Sequence, residues 1–217
     1  MFTEDDFKDV ENGVLKDGVP KQTFTAKVRP GDIKYVDLDK NGFIDTYDQM
    51  AIGGTENPEI VYGFGVNLRW KELDFGAMFQ GIGRTWRILS SNIMPASNKG
   101  SMYNIFDNYQ DRWTVDNQSQ DVFYPRADYG PNANNSQKST WWLRNMSFLR
   151  LKDAEIGYTL PESMTKKWGL SKIRFYIQGK NLITFSDFKL WDPEVNANYG
   201  NVYPLIRTFA IGANVNF

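Results

Sequence analysis

Strict alternation of large apolar residues with small or polar ones governs much of the chain. Over residues 61–70, Tyr62, Phe64, Val66, Leu68 and Trp70 share one face, and Gly63, Gly65, Asn67 and Arg69 share the other. A period of two sustained this long predicts a strand with one apolar face. Lys71-Glu72 predicts a tight turn. Leu73, Phe75, Ala77 and Phe79 then alternate against Asp74, Gly76, Met78 and Gln80, completing a hairpin. Residues 147–160 predict a third strand whose phase slips: Leu149 and Leu151 are in register, then Ala154, Ile156, Tyr158 and Leu160 are. A slip near Lys152-Asp153 predicts a β-bulge. Pro161 stops that strand, and residues 162–168 predict a helical turn before Gly169. Residues 171–186 predict a fourth strand, with Ile173, Phe175 and Ile177 opposite Arg174, Tyr176 and Gln178. Residues 204–217 predict a fifth. There Arg207 precedes Phe209, Ile211, Ala213, Val215 and Phe217 on one face, with Thr208, Ala210, Gly212, Asn214 and Asn216 on the other.

The rest of the chain lacks this period. Thr3-Glu-Asp-Asp6 reads as a capping box, and Phe7 and Val10 as one short helical face. Asn12-Gly13 and Asp17-Gly18 break it, and Pro20 and Pro30 flank an extended segment at 23–28. Residues 1–30 thus predict a surface loop with one helical turn, and 32–36 a short strand. Residues 87–145 are rich in Asn, Ser, Asp and Gln, with Tyr103, Phe106, Tyr109, Trp113, Phe123, Tyr124 and Tyr129 among them. Residues 104–113 predict a helix. A connection this long carries either function or disorder.

Strand length and loop sorting choose the fold class. Strands of about ten residues match a tilted membrane crossing, whereas soluble strands average about half that. Connections alternate between short and long, the pattern of barrels with short periplasmic turns and long extracellular loops. Mean hydropathy is −0.52, and no run reaches the apolar length of a membrane helix. Barrel strands, alternating between lipid and lumen, keep such averages low. The prediction is all-β: an antiparallel transmembrane β-barrel segment of about five long strands, an incomplete barrel, with long extracellular loops. Residues 1–57 form an extracellular loop region and 58–217 the C-terminal strands. With the short turns periplasmic, Phe217 is periplasmic, and 87–145 and 187–203 are extracellular. Five strands cannot close a barrel of even strand number, so an open edge is expected near Glu59. Tyr62, Trp70, Tyr158 and Phe217 would form interfacial girdles. Arg69, Asp74, Gln80, Arg174 and Gln178 would face the lumen, hydrating it rather than binding solute.

The acidic stretch at 37–48 carries the candidate chemistry. Asp37, Asp39, Asn41, Asp45 and Asp48 occupy positions 1, 3, 5, 9 and 12 of a calcium-type loop, with Gly42 at position 6 and Ile44 at position 8. The expected Ca2+ ligands are the side chains of Asp37, Asp39, Asn41 and Asp48 and the backbone carbonyl of Phe43, with Asp45 acting through water. Asp48 stands where a longer Glu is usual, which weakens the bidentate grip. No partner helices flank the loop, so it is not an EF-hand as a fold. The competing reading is a metal-free Asp/Asn/Gly turn.

Composition removes other chemistries. The chain has no Cys and no His, so it holds no disulfide, no thiolate or imidazole metal site and no Ser-His pair. No carboxylate spacing singles out a glycosidase dyad, and the chain is read as not an enzyme. Its net charge of −1 gives no footprint for nucleic acid. Residues 1–7 show neither the basic region nor the apolar core of a signal peptide.

These residues resemble the C-terminal part of SusC/RagA-type TonB-linked outer-membrane transporters. The likeness rests on Pro30-Gly-Asp-Ile-Lys-Tyr-Val-Asp-Leu-Asp-Lys-Asn-Gly-Phe-Ile-Asp45, then Ile52-Gly53, Asn57-Pro58, Tyr62-Gly63 and Phe79-Gln80-Gly81. It continues through Asp111-Arg-Trp-Thr114, Ser147-Phe-Leu-Arg-Leu-Lys152, Gly157-Tyr-Thr-Leu-Pro161, Gly179-Lys-Asn-Leu182, Asp192-Pro193, Tyr203-Pro204 and Arg207-Thr208-Phe209. The resemblance implies a place in the outer membrane of a Bacteroidetes-type bacterium and import of a glycan or peptide ligand. It also implies a SusD-like surface lipoprotein partner, and the TonB complex acting through a missing N-terminal part. Signal peptide, TonB box, plug and the first barrel strands are not found, so a fragment or truncated reading frame is expected. Loop aromatics such as Trp113, Tyr124, Trp141 and Trp142 are read as loop packing or lipoprotein contact rather than sugar stacking. The alternative is a soluble calcium-binding β-module with a carbohydrate-binding role.

Overall fold

The computed structural model describes residues 1–90, 93, 105–198 and 200–217. The chain divides into two compact units. The first comprises Met1–Gly53, Ile88–Arg144 and Ala197–Gly200, and the second Gly54–Arg87, Asn145–Asn196 and Asn201–Phe217. In chain order the strands are β1 (Phe7–Asp9), β2 (Val14–Leu15), β3 (Lys21–Gln22), β4 (Phe43–Ile44), β5 (Ile60–Trp70), β6 (Leu73–Gly83), β7 (Trp86–Ile88), β8 (Leu143–Asn145), β9 (Phe148–Thr159), β10 (Lys172–Phe185) and β11 (Thr208–Asn216). A four-residue helix, α1 (Glu162–Thr165), runs into a 3-10 turn at Lys166–Trp168, which Gly169 ends at φ 68°.

The second unit is a five-stranded antiparallel sheet in the order β11-β10-β9-β6-β5. Among these five, each strand lies beside the next in the chain, although residues 84–147 intervene between β6 and β9. Register turns the alternation read in the sequence into rows. Leu68, Phe75, Ile156, Ile177 and Ile211 stand side by side across all five strands. One step along, Arg69, Asp74, Gly157, Tyr176 and Gly212 form the opposite face. The apolar face is not covered: Ile211 is 84% exposed and Phe209 71%. A continuous apolar wall of this extent is foreign to a soluble surface and suits hydrocarbon. Eleven residues in β5 at about 3.4 Å each, tilted by about 40°, rise roughly 28 Å, which matches a membrane's apolar core. The soluble-module alternative is therefore not favoured.

The phase slip is a bulge. Met78 pairs with Asp153 and Phe79 with Leu151, which leaves Lys152 with no partner on β6. On its other side β9 meets a second irregularity, where Lys180 pairs with Asp153 and Ile183 with Leu151. Asn181 absorbs that step at φ 54°. The extra residue puts Lys152 and Asp153 together on the polar face while Leu149, Leu151, Ala154 and Ile156 stay on the apolar one.

On the polar face Arg174 lies across Gly157, where a Cβ would collide with its guanidinium. Its Nε donates to Asp74 Oδ1 at 3.0 Å, and its Nη2 donates to Asp74 Oδ2 and, at 2.6 Å, to Glu155 Oε1. One side chain thus ties β6, β9 and β10 together over a glycine.

The first unit departs from several sequence expectations. Thr3 still donates to the Asp6 carboxylate, and Glu4–Asp6 is a 3-10 turn. Phe7, however, is not on a helical face. It opens β1, pairs with Leu15 and is buried with Phe2 and Val28. Gly13 turns the chain back at φ 68°, and the apolar contacts made by that return outweigh local helix preference. The 23–28 segment is not a strand; β3 ends at Gln22. Nor is 32–36, because its backbone is claimed by side chains: Ile33 N–H donates to Asn135 Oδ1 at 2.8 Å. The expected helix at 104–113 reduces to a 3-10 turn at Asp107–Gln110. Past it, Trp113 N–H donates to the Tyr124 carbonyl and Tyr124 N–H to that of Asp111, drawing the chain into a parallel bridge. Tyr103, Asn104 and Tyr199 lie outside the described residues.

The Arg174 tie gives a test. Gly157→Val and Arg174→Met are each expected to cost about 1–2 kcal/mol of sheet stability, read as a lower temperature for losing the folded band on a gel. The double variant should be no worse than the worse single. Additive losses would show that Gly157 does not act through Arg174.

Candidate functional site

The acidic loop is built on the β3–β4 bridge. Lys21 N–H donates to the Gly42 carbonyl at 3.0 Å and Thr23 N–H to that of Ile44 at 3.1 Å. Carbonyls alternate in direction along an extended chain, so the Phe43 carbonyl between them turns away from β3. Ile44 is buried and anchors the loop. Gly42, at φ 85°, makes the sharp turn, and Lys40 at φ 62° precedes it.

Internal hydrogen bonds set the side chains. Asp37 Oδ2 accepts from Gly42 N–H at 2.8 Å, and Asp39 Oδ2 accepts from the Asn41 amide at 3.0 Å. Asn41 Oδ1 accepts from Phe43 N–H at 2.7 Å, and Asp45 Oδ1 from Tyr47 N–H at 2.7 Å. Asp48 Oδ2 accepts from Asp45 N–H at 2.8 Å and its Oδ1 from Leu38 N–H at 2.7 Å, which holds its carboxyl below the usual range. Asp37, Asp39 and Asp48 each place an oxygen within 4.8 Å of the others. Asp45 does not join that cluster. Three carboxylates this close repel one another, and each oxygen keeps lone pairs beyond its N–H partner. The donor set is all oxygen and fits a hard divalent cation such as Ca2+.

A second charged group, on the sheet's polar face, is not marked by any local sequence pattern. Arg150 is almost wholly buried. It ion-pairs with Asp192 and, at 3.5 Å, with Glu194, and Lys152 reaches Glu194 at 2.8 Å. Two sequence signals stood near it, the phase slip at Lys152 and the Asp192-Pro193 turn. Their pairing is set by the long connection after β10 folding back, which no local pattern encodes. Of the residues expected to face the lumen, Arg174 and Asp74 are paired, and Gln178 donates to Asp153 at 2.9 Å.

Most of the described loop aromatics pack, whereas Tyr129 is fully exposed. Trp113, Tyr124 and Trp142 are buried, and Trp141 Nε1 donates to the Phe123 carbonyl at 3.2 Å. Tyr109, Tyr124 and Phe123 form an edge-on ladder, with Arg112 over the Tyr109 ring and Arg144 over the Phe123 ring. Burial pushes the Tyr124 hydroxyl up to about 12, and Asn108 Oδ1 accepts from it at 3.1 Å.

An open antiparallel wall with a bare apolar face and an ion-paired polar face defines a segment of transmembrane β-barrel. No family model matches the chain. It is 32% identical over 213 residues to TonB-dependent receptor P3 of Formosa agariphila and 31% identical over 202 residues to TonB-dependent receptor P26 of the same organism, covering 90% and 86% of this chain. The RagAB peptide transporter structure matches with a TM-score of 0.65 at 29% identity over 87% of the chain. The RagAB peptide importer in its open-open state matches at 0.62, 29% and 84%. The chain spans about a fifth of the length of the relatives it matches: 20% in each case. It is a SusC/RagA-type TonB-dependent receptor segment. The relatives it matches are receptors and importers rather than enzymes.

The raised Tyr124 hydroxyl sets a pH window. A group that binds its proton more tightly when folded contributes stability that is lost as pH rises from its ordinary value near 10 toward 12. The first unit should lose stability across that window, followed by tyrosine absorbance and near-UV circular dichroism. Tyr124→Phe should flatten the loss. An unchanged alkaline profile in that variant would assign the effect elsewhere.

Proposed function

We propose that the chain is the C-terminal barrel wall of an outer-membrane, TonB-dependent importer of peptides or glycans. The observation that carries this reading is the row register: five strands whose apolar residues line up on one face and whose charges pair on the other. A wall of this kind separates lipid from an aqueous lumen. Arg174 with Asp74 and Glu155, and Arg150 with Asp192 and Glu194, would hold its polar side rigid while solute passes. The likeness to a peptide importer supports a peptide ligand; a glycan is the second reading.

In this reading the two-residue turn at Lys71-Glu72 is periplasmic. The chain enters β5 from the opposite end, so residues 1–57, 87–145 and 187–203 are extracellular. Tyr62 stands near that end of the apolar face, and Trp70 and Tyr158 stand at the turn end, the positions of two interfacial girdles. A SusD-like lipoprotein would dock on the extracellular side, and the TonB complex would act through a part of the receptor outside this chain. Ca2+ at Asp37, Asp39, Asn41, Asp48 and the Phe43 carbonyl, with Asp45 through water, would brace the loop by neutralising its clustered carboxylates.

Expression of the complete receptor is expected to give a heat-modifiable protein in the outer-membrane fraction; a soluble monomer would sink the barrel reading. The metal is tested separately by calorimetry. Asp39→Ala should weaken Ca2+ binding roughly tenfold or more, the effect of losing one carboxylate ligand, and identical traces for variant and wild type would remove calcium from the reading.

A further inference from the structure

The turn end of the sheet carries a short helical connection that strand pairing does not require. Thr159 N–H donates to the Glu72 carbonyl at 2.8 Å and Leu160 N–H to that of Ile173 at 2.9 Å. The connection from β9 to β10 therefore leaves the wall between the Lys71-Glu72 turn and the start of β10. Thr165 is fully buried, and Leu170 N–H donates to its carbonyl at 3.1 Å, which folds the connection back. Its helix, α1, packs against β10. On the apolar face Ile173 is 7% exposed, whereas Phe175 and Ile177, further along the same face of β10, are 51% and 52% exposed. The connection thus lies on the apolar side of the wall and covers Ile173. Its own outer surface is apolar as well. Met164 and Trp168, one helical turn apart and so on one face, are 45% and 60% exposed. Close by, Trp70, Leu73, Tyr158 and Phe175 stand in one row across the wall. Along residues 71–72 and 161–172, Lys71, Lys166, Lys167 and Lys172 outnumber Glu72 and Glu162. Lys166 is paired with Glu162 at 2.9 Å.

We propose that residues 161–170 form a membrane-surface anchor that binds phospholipid. Met164 and Trp168 lie among the outermost acyl carbons of the adjoining leaflet, beside the row that holds Trp70 and Tyr158. Lys167 reaches out to headgroup phosphates, and so does Lys71, whose Nζ stands 5.2 Å from the centre of the Trp70 ring. The positive balance of this end of the wall suits phosphate. The occupant is lipid because the exposed face of the connection continues the wall's own lipid-facing surface. The anchor rests on that wall lying in lipid, and the test reads the wall separately.

The test uses the complete receptor, with any native cysteine replaced, in vesicles of phosphatidylethanolamine and phosphatidylglycerol. A nitroxide is attached at Met164→Cys, Lys166→Cys or Ile211→Cys, one at a time. All three side chains are exposed, so folding is not at risk. Electron paramagnetic resonance reads the label's collisions with oxygen, which concentrates in lipid, and with a water-soluble nickel chelate. The oxygen-to-nickel ratio at Met164 should be severalfold higher than at Lys166, which turns away from it on the helix, and should approach the ratio at Ile211 in the wall. A Met164 label as open to nickel as the one at Lys166 would overturn the anchor and place the connection in water. A Met164 label shielded from both reagents would also overturn it, because another part of the receptor would then cover that face. Nickel contact at Met164 with a lipid-exposed Ile211 would remove the anchor alone. Nickel contact at Ile211 would remove the lipid-facing wall and the anchor with it.

Discussion

Backbone pairing is the constraint on which the rest of this chain depends. Within hydrocarbon no water satisfies a free N–H or C=O, so a spanning strand exists only if its neighbours pair with it along its length. The antiparallel register from β5 through β6, β9 and β10 to β11 meets that demand inside the sheet. It also fixes every side chain's face, because a slip by one residue would send the whole apolar set into the lumen. The bulge at Lys152 is the one place where β9 breaks step, and it does so without losing the apolar face.

The polar face shows what the bulge achieves. It places Lys152 and Asp153 on the same side of the wall, near Arg150 and Glu155. Two sets of ion pairs follow. Asp74, Glu155 and Arg174 join strands to one another across a glycine. Arg150, Lys152, Asp192 and Glu194 join the wall to the connection that follows β10. Arg150 is almost wholly buried, and two carboxylates, Asp192 and Glu194, face its guanidinium.

The first unit follows different rules. Its strands are two or three residues long and contribute little alone. Its order comes from side chains that satisfy the backbone: Asp32, Asn132, Asn134 and Asn135 are all buried, and the Asn134 and Asn135 amides donate to the Ile33 carbonyl and the Asp32 carboxylate. The acidic loop hangs on this framework through the buried Ile44 and the β3–β4 bridge.

The sequence by itself determined the long strands, their faces, the two-residue turn, the bulge and the oxygen pattern of the acidic loop. Each is written in local periodicity or in residue types at fixed spacing. It misplaced Phe7 on a helical face, a strand at 32–36 and a helix at 104–113, because distant partners decide those segments: Phe2 and Val28 for the first, Asn135 for the second, Tyr124 for the third. Only the tertiary structure put Arg174 over Gly157 and paired Arg150 with Asp192. Such contacts join residues from separate stretches of the chain, and their energy comes from burial and charge in three dimensions, which no local pattern records.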